Sequence, residues 1–217
     1  MDSEIIEKTR AAIAKVASKV DYPIVVASCG RSGSTVLFKS ISKACVRKAF
    51  KPFDLEEKIR TYAWRTRDIK IRNGIIYKTH DLPTAKLLNS NAKIIYTYDK
   101  PKKVVASVLR KTKTQGINWF KKHAKHMRGK GNIDEVVAKD TLEIERNISE
   151  WLSLKRDKIL RIKYDEIWSN SEQISEFVGC NVELPERRPR KSSTEILTNS
   201  QAEMLEHMEN SIRVQVQ

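Results

Sequence analysis

The feature that most limits the folds open to this chain is a strand, a glycine turn and a helix in immediate succession near its start. Pro23-Ile24-Val25-Val26-Ala27-Ser28 is a short apolar, β-rich run of the kind buried on both faces in a parallel sheet. Cys29-Gly30-Arg31-Ser32-Gly33-Ser34-Thr35 follows, and Val36, Leu37, Ser40, Ile41 and Ala44 then mark one face of a helix. This order opens a βαβ unit. Gly30 and Gly33 permit positive φ and close backbone approach. The amides of the turn and of the next helix then converge on one spot, which favours an anion through hydrogen bonding and the helix dipole. Ser34 and Thr35 add hydroxyls, and Arg31 adds a planar cation suited to phosphate or sulfate oxygens. A plain strand-to-helix turn with a serine N-cap has the same outline. The loop is not a P-loop, because that motif needs a lysine after its last glycine and Ser34 stands there. Ordinary ATP or GTP hydrolysis is disfavoured.

The rest of the chain repeats the alternation. A second run, Gly74 to Lys78, leads into Thr79-His80-Asp81-Leu82-Pro83, and a short helix over 84–90 leads to a third run, Ala92 to Asp99. Pro101 suits a first helical turn, which needs no amide donor there, and the helix continues through Val104, Val105, Val108 and Leu109. Residues 115–155 read as charged helix broken at Gly129-Lys130-Gly131. A fourth run, Lys158 to Tyr164, precedes a helix ending near Val178. Residues 181–194 read as a basic loop, and the last helix as 198–212. At the start, Ile5, Ile6, Ile13 and Val16 are spaced to share a helical face. The pattern predicts an α/β fold with a parallel central sheet flanked by helices. With 217 residues it predicts a single domain over 1–217, with an N-terminal helix over 1–21 and a basic loop and C-terminal helix over 181–217.

Composition narrows the setting more than the chemistry. The longest apolar runs are far too short to span a membrane, and the charged N-terminus does not read as a secretory signal. Cys29, Cys45 and Cys180 are too few and too scattered for a disulfide framework or a zinc site, which predicts a reducing, cytoplasmic setting with the cysteines as packing residues. Cys29, beside the glycine loop, is the least certain of them. The net charge of +15 attracts anions without identifying one.

Four segments, in order, resemble the sulfotransferases that use 3′-phosphoadenylyl sulfate (PAPS). Strand-Cys29-Gly30-Arg31-Ser32-Gly33-Ser34-Thr35-Val36-Leu37 is similar to the family's loop for the 5′-phosphosulfate. Ile76-Tyr77-Lys78-Thr79-His80 is similar to its lysine-x-histidine motif at a strand end. Residues 92–96 with Asp99 to Ser107 resemble the strand and helix that hold the 3′-phosphate. Trp151 through Ile167 resembles the later helix, strand and acidic turn. The resemblance covers roughly residues 22–180. It implies a P-loop-NTPase-like sulfotransferase architecture that binds PAPS as donor and releases 3′-phosphoadenosine 5′-phosphate (PAP), with no metal. His80 would take the proton from an acceptor hydroxyl, a task suited to imidazole. Lys78 and Arg31 would neutralise the bridging oxygen, Gly30 to Thr35 would hold the phosphosulfate, and Ser107 would bond the 3′-phosphate. The basic surface points to an anionic acceptor: a glycan, a peptide or a small molecule.

The chain departs from the family at Asp99, where arginine is usual. A carboxylate ~4 Å from a phosphate costs on the order of 4 kcal/mol at an effective dielectric of 20. Lys100, Lys102 and Lys103, or Arg187, Arg188, Arg190 and Lys191 of the basic loop, would have to offset it. Otherwise the donor lacks the 3′-phosphate, or the reaction is lost. The Lys78–Pro83 segment also has one residue more than the commonest family form. His80 has a bland reading as a loop histidine capping the next helix, and His123, His126 and His207 read as solvated. Two rival functions stay in view. Asp99 with Ser34 or Thr35 is the outline of a magnesium-dependent nucleotide kinase or nucleotidase. Trp119, Phe120, Lys121, Lys122, Lys125 and Arg128 suggest a non-catalytic nucleic-acid-binding helix. Adjacent aromatics cannot both face one partner, so one of them packs inward and nucleic acid is disfavoured. Residues 47–72 and 113–135 would line the acceptor side and carry no readable specificity.

Overall fold

The computed structural model describes residues 3–47, 55–138, 140–189 and 193–216. Five strands form one sheet: β1 (Ile24–Ser28), β2 (Arg60–Tyr62), β3 (Ile76–Thr79), β4 (Lys93–Tyr98) and β5 (Ile159–Lys163). The order is β2-β3-β1-β4-β5, and every pairing is parallel. β1 sits in the middle, with Ile24 opposite both Ile76 and Lys93. All five of its residues are buried, as its unbroken apolar run requires of a strand covered on both faces. Its neighbours β3 and β4 are joined by a crossover that passes β1. In such sheets a crevice opens beyond the carboxyl ends of the strands, where ligands bind.

The helices are α1 (Ser3–Ala17), α2 (Ser34–Cys45), α3 (Ala85–Leu88), α4 (Pro101–Gln115), α5 (Ile117–Met127), α6 (Ile144–Ser153), α7 (Ser171–Val178) and α8 (Asn199–Val216). One apolar cluster joins the sheet to α2 and α7 and includes Trp151 of α6. Tyr96 stacks on Trp151 at 5.2 Å and donates to Asn147 Oδ1 at 2.9 Å, so the phenol is buried with its hydroxyl satisfied. Truncating a side chain like Trp151 costs about 3–5 kcal/mol. A second cluster joins α4, α5, α6 and α8 through Val105, Phe120, Ile148 and Leu205. It is this cluster that holds α5 over the carboxyl end of the sheet.

Several expectations are corrected. β2 was absent from the sequence reading, because Arg-Thr-Tyr is short, polar and only partly buried. The charged stretch ends its first helix at Met127, where Arg128 turns left-handed with φ 63°, and α6 begins only at Ile144. α1 does not bury Ile5 and Val16, which are both 57% exposed; Ala14 and Ala17 face the core instead. The three cysteines are buried thiols, as expected of packing residues, but Cys45 and Cys180 touch, their Sγ atoms 3.3 Å apart.

Candidate active site

The chain leaves β1 through three left-handed residues, Gly30 (φ 77°), Arg31 (φ 53°) and Gly33 (φ 84°). Successive turns of this kind curl the main chain into a concave nest for anions. α2 starts directly from Gly33, which makes no side-chain cap, so the serine N-cap reading is corrected. Ser34 and Thr35 occupy the first turn of α2, where amides have no carbonyl partner within the helix. The glycines are required by space as well as by φ. A Cβ on Gly33 would come within 2.6 Å of Ile167 Cδ1, and one on Gly30 within 3.0 Å of Met127 Sδ.

The end of β3 brings in the two side chains that β1's neighbour should supply. Lys78 Nζ donates to Thr35 Oγ1 at 2.7 Å. His80 Nδ1 lies 2.8 Å from Ser28 Oγ and 3.2 Å from the Ser28 carbonyl oxygen. A carbonyl only accepts, and Ser28 Oγ itself donates to Ser34 Oγ at 3.0 Å. The proton therefore sits on Nδ1 and the lone pair on Nε2. Burial, with the charges of Lys78 and His123, holds the His80 pKa well below the ordinary imidazole value, so the ring is neutral at pH 7. Burial, with Arg31 and Lys39, lowers Lys78 to about 8. The nitrogen that can accept a proton and the ammonium beside it thus belong to one strand end.

Arg31, Ser32, Gly33, Ser34, Thr35, Lys78, His80 and Ser107 line one cavity of about 460 Å³. Arg31 Nε donates to Ser107 Oγ at 3.1 Å, which ties the loop to α4. Two predicted residues stand differently. Gly30 lies beneath His123 and Met127 rather than on the cavity wall, and the Ser32 hydroxyl turns into the protein to donate to the Thr97 carbonyl at 2.9 Å.

The same cavity is lined by residues the sequence did not reveal: Arg110, Trp119, His123, Tyr164 and Pro189. Arg110 is three residues after Ser107, one helical turn along α4. His123 was expected in solvent and is instead 8% exposed. It stacks on Trp119 at 4.9 Å and meets His80 edge-on at 6.1 Å, and burial lowers its pKa to about 3. His126 is also corrected: it is partly buried and touches Trp64. His207 is exposed, as expected. Cys29 is buried and its thiol is pushed up to about 11 by that burial, so it is no nucleophile.

Asp99 does not line this cavity. It lines another, of about 580 Å³, between β4, β5, α6 and α8, and its Oδ1 accepts from the Lys100 amide at 2.8 Å. The expected repulsion of a 3′-phosphate assumed a carboxylate beside it, so that cost loses its geometric basis. Two of the three lysines expected to offset it are engaged as well. Lys103 pairs with Asp165 at 2.6 Å and Lys100 with Glu209 at 3.2 Å. Arg187 pairs with Asp165 at 3.0 Å; Arg190 and Lys191 lie outside the described residues. The magnesium reading needed Asp99 beside Ser34 or Thr35 and loses that support. The nucleic-acid reading needed exposed aromatics among the lysines of α5. Phe120 is buried, and Trp119 stacks on His123 at the cavity wall.

Lys78 and His80 also line a second opening, of about 250 Å³, together with Tyr62, Ala63, Trp64, Thr79 and His126. Its two walls, the chain after β2 and the end of α5, meet at Asp81. That fully buried carboxylate accepts from the amide and hydroxyl of Thr66, both at 2.9 Å, and pairs with Arg128 at 2.5 Å.

No protein-family model matches the chain, and no curated protein matches it in sequence. Among solved structures, mouse sulfotransferase SULT7A1 complexed with PAP is similar, with a TM-score of 0.50 and 15% identity over 97% of this chain and 70% of that one. Retinol dehydratase in complex with androsterone and inactive cofactor PAP aligns with a TM-score of 0.46 and 12% identity, over 96% of this chain and 69% of that one. The first likeness shows that this chain has the sulfotransferase fold.

Proposed function

We propose, from the sulfotransferase fold, that this chain moves a sulfuryl group from PAPS to an acceptor hydroxyl and releases PAP. The observation that carries the reading is that Lys78 and His80 line the cavity of the glycine loop and also the opening on its other side. Donor and acceptor would meet at these two side chains. His80 Nε2 takes the hydroxyl proton as the acceptor oxygen bonds to sulfur. The bond from sulfur to the bridging phosphate oxygen breaks, and Lys78 and Arg31 neutralise the charge left on that oxygen. Amides of the loop and the first turn of α2 hold the phosphosulfate oxygens. Holding the reactants in line supplies most of the acceleration, as in phosphoryl transfer.

The cavity fits such an anion, since Arg31, Lys78 and Arg110 line it and, among the described residues, no aspartate or glutamate does. Ser107 and Arg110 would receive the 3′-phosphate, Arg110 taking the part of the arginine that Asp99 replaces. Calorimetric titration with PAP and with adenosine 5′-phosphate tests the reading. PAP should bind at least tenfold more tightly. Equal affinities would remove the 3′-phosphate from the proposal, and binding of neither would end it.

A further inference from the structure

Two of the three cysteines are placed to react with one another. Cys45 is the last residue of α2, and Cys180 follows Gly179, the left-handed residue that ends α7. They stand 135 positions apart in the chain, yet the Cys45 thiol donates to Cys180 Sγ at 3.3 Å. A disulfide needs its sulfurs about 2.0 Å apart. Side-chain rotation, with a small shift of the chain where it leaves α7, closes that gap.

The two thiols are chemically unequal, as a reactive pair should be. The proton offered by Cys45 and the charges of Lys19 and Lys93 favour the thiolate of Cys180, and hold it below the ordinary thiol value against the pull of burial. Cys45 is pushed the other way by Cys180 and by burial, so it keeps its proton. Lys19 is fixed beside the pair: its Nζ donates to the Ala44 carbonyl at 2.7 Å, and its amide to the Cys45 carbonyl at 2.7 Å. Lys93 Nζ lies 4.5 Å from the Tyr22 ring centroid, and the Tyr22 hydroxyl donates to the Val178 carbonyl at 2.9 Å. Exposure runs in the same sense, with Cys180 at 7% and Cys45 at 0%. A small oxidant reaches the thiolate first, and the second thiol waits behind it. Cys29 is the contrast. Its thiol donates to the Gly30 carbonyl at 3.7 Å, and burial suppresses its ionisation.

We propose that Cys45 and Cys180 are a peroxide-responsive dithiol that closes into a disulfide and staples α2 to the end of α7. The Cys180 thiolate attacks one oxygen of a hydroperoxide, and the O–O bond breaks. Cys180 becomes a sulfenic acid, and the departing oxyanion takes up the proton that Cys180 had released. The Cys45 sulfur then attacks the Cys180 sulfur. The S–O bond breaks, and the hydroxyl leaves as water with the Cys45 proton. Two electrons pass from the sulfurs to the peroxide, and an external dithiol reverses the change. The staple acts on a contact made twice. At the other end of α2, a Cβ on Gly33 would strike Ile167 and Tyr164, which lie just before α7. Fastening Cys45 to Cys180 therefore also restrains the chain that packs against the glycine loop. None of this depends on sulfuryl transfer.

The test uses the full chain, reduced, desalted and exposed to about a tenfold molar excess of hydrogen peroxide. Its intact mass should fall by about 2 Da, the loss of two hydrogens. Digestion without reductant should yield the Cys45–Cys180 linkage, with Cys29 still open to alkylation in denaturant. The oxidised chain should melt about 5–10 °C above the reduced one, since the bond closes a long loop. Cys45→Ser should halt the reaction at a Cys180 sulfenic acid that dimedone traps, and Cys180→Ser should slow peroxide consumption at least about tenfold. The mass and melting readouts need no variant, so they stand if either variant fails to fold. Thiols left intact, Cys180 driven to sulfinic acid beside a free Cys45, a linkage through Cys29 or one between two chains would each overturn the dithiol. A melting temperature unmoved by oxidation would overturn the staple.

Discussion

Two cavities flank the carboxyl end of the sheet, and both are rich in lysine and arginine. The larger, of about 580 Å³, sets Lys100, Lys103, Lys163 and Arg213 among Asp99, Asp165, Glu166 and Glu209. Three of its four cations are already paired: Lys103 to Asp165, and Lys100 and Arg213 to Glu209. The smaller, of about 460 Å³, holds Arg31, Lys78 and Arg110, with no carboxylate among its described lining residues. Matched charges at a surface contribute little and hold shape. A concentration of one sign in a cleft is a standing demand for an opposite charge from outside. In a chain of net charge +15, the number of cations says nothing of where an anion binds; the local lack of carboxylates does.

Three experiments can break or sharpen this contrast. The largest effect should follow His80→Ala, which removes the proposed proton acceptor from the smaller cavity. Turnover should fall by about 10²–10⁴, while PAP affinity measured by calorimetry stays within about twofold. Lost affinity with retained turnover would contradict its role as base.

The second experiment sets one cavity against the other. Arg31→Ala should weaken PAP binding by about 1.5–3 kcal/mol, the worth of a hydrogen bond to a charged group. Lys103→Ala, which removes a cation already paired with Asp165, should change it less than about twofold. Equal losses would erase the distinction between the two cavities.

The smallest effect is a pH dependence. Lys78 has its pKa lowered to about 8 in the unliganded protein, so it is charged below that value and neutral above it. Anion binding requires the charge. PAP affinity should therefore hold steady below pH 8 and decline above it, with proton uptake visible when calorimetry is repeated in buffers of different ionisation enthalpy. Lys78→Arg should move the decline beyond pH 9. An affinity that is flat through pH 9 in the native chain would place the ammonium outside the anion's reach.

What the sequence disclosed, and what it withheld, follows from the range of the forces involved. The strand, the glycine loop and α2 are adjacent in the chain, and their conformation is set by local rules: an apolar run, positive φ at Gly30 and Gly33, and a helical stripe. Lys78 and His80 were legible because a strand end in a parallel sheet has a known direction. His123 was not, because its neighbours Lys121, Lys122 and Lys125 write a solvated face. Its contacts with Gly30 and His80, remote in the chain, show that α5 lies over the loop. Arg110 has no motif around it and becomes visible once α4 is oriented. β2 carries three residues and no apolar run, so only pairing with β3 makes it a strand. Asp99 was read from its position beside a family motif, but the cavity its carboxylate enters exists only once α8 has packed on α4 and α6.

Asp81 is the residue after His80, and it is the buried anchor to which both the chain after β2 and the end of α5 are fastened. Pulling either wall away strands an ionised carboxyl in the interior, at a cost of about 3–5 kcal/mol. Fewer than about one molecule in a hundred would then be found ajar at any moment. An arriving guest meets an aperture of fixed width, and a molecule that does gape loosens the backbone under its own imidazole at the same instant. Breadth of guest and readiness to react are therefore opposed in this protein, and a single carboxylate sets where the compromise falls.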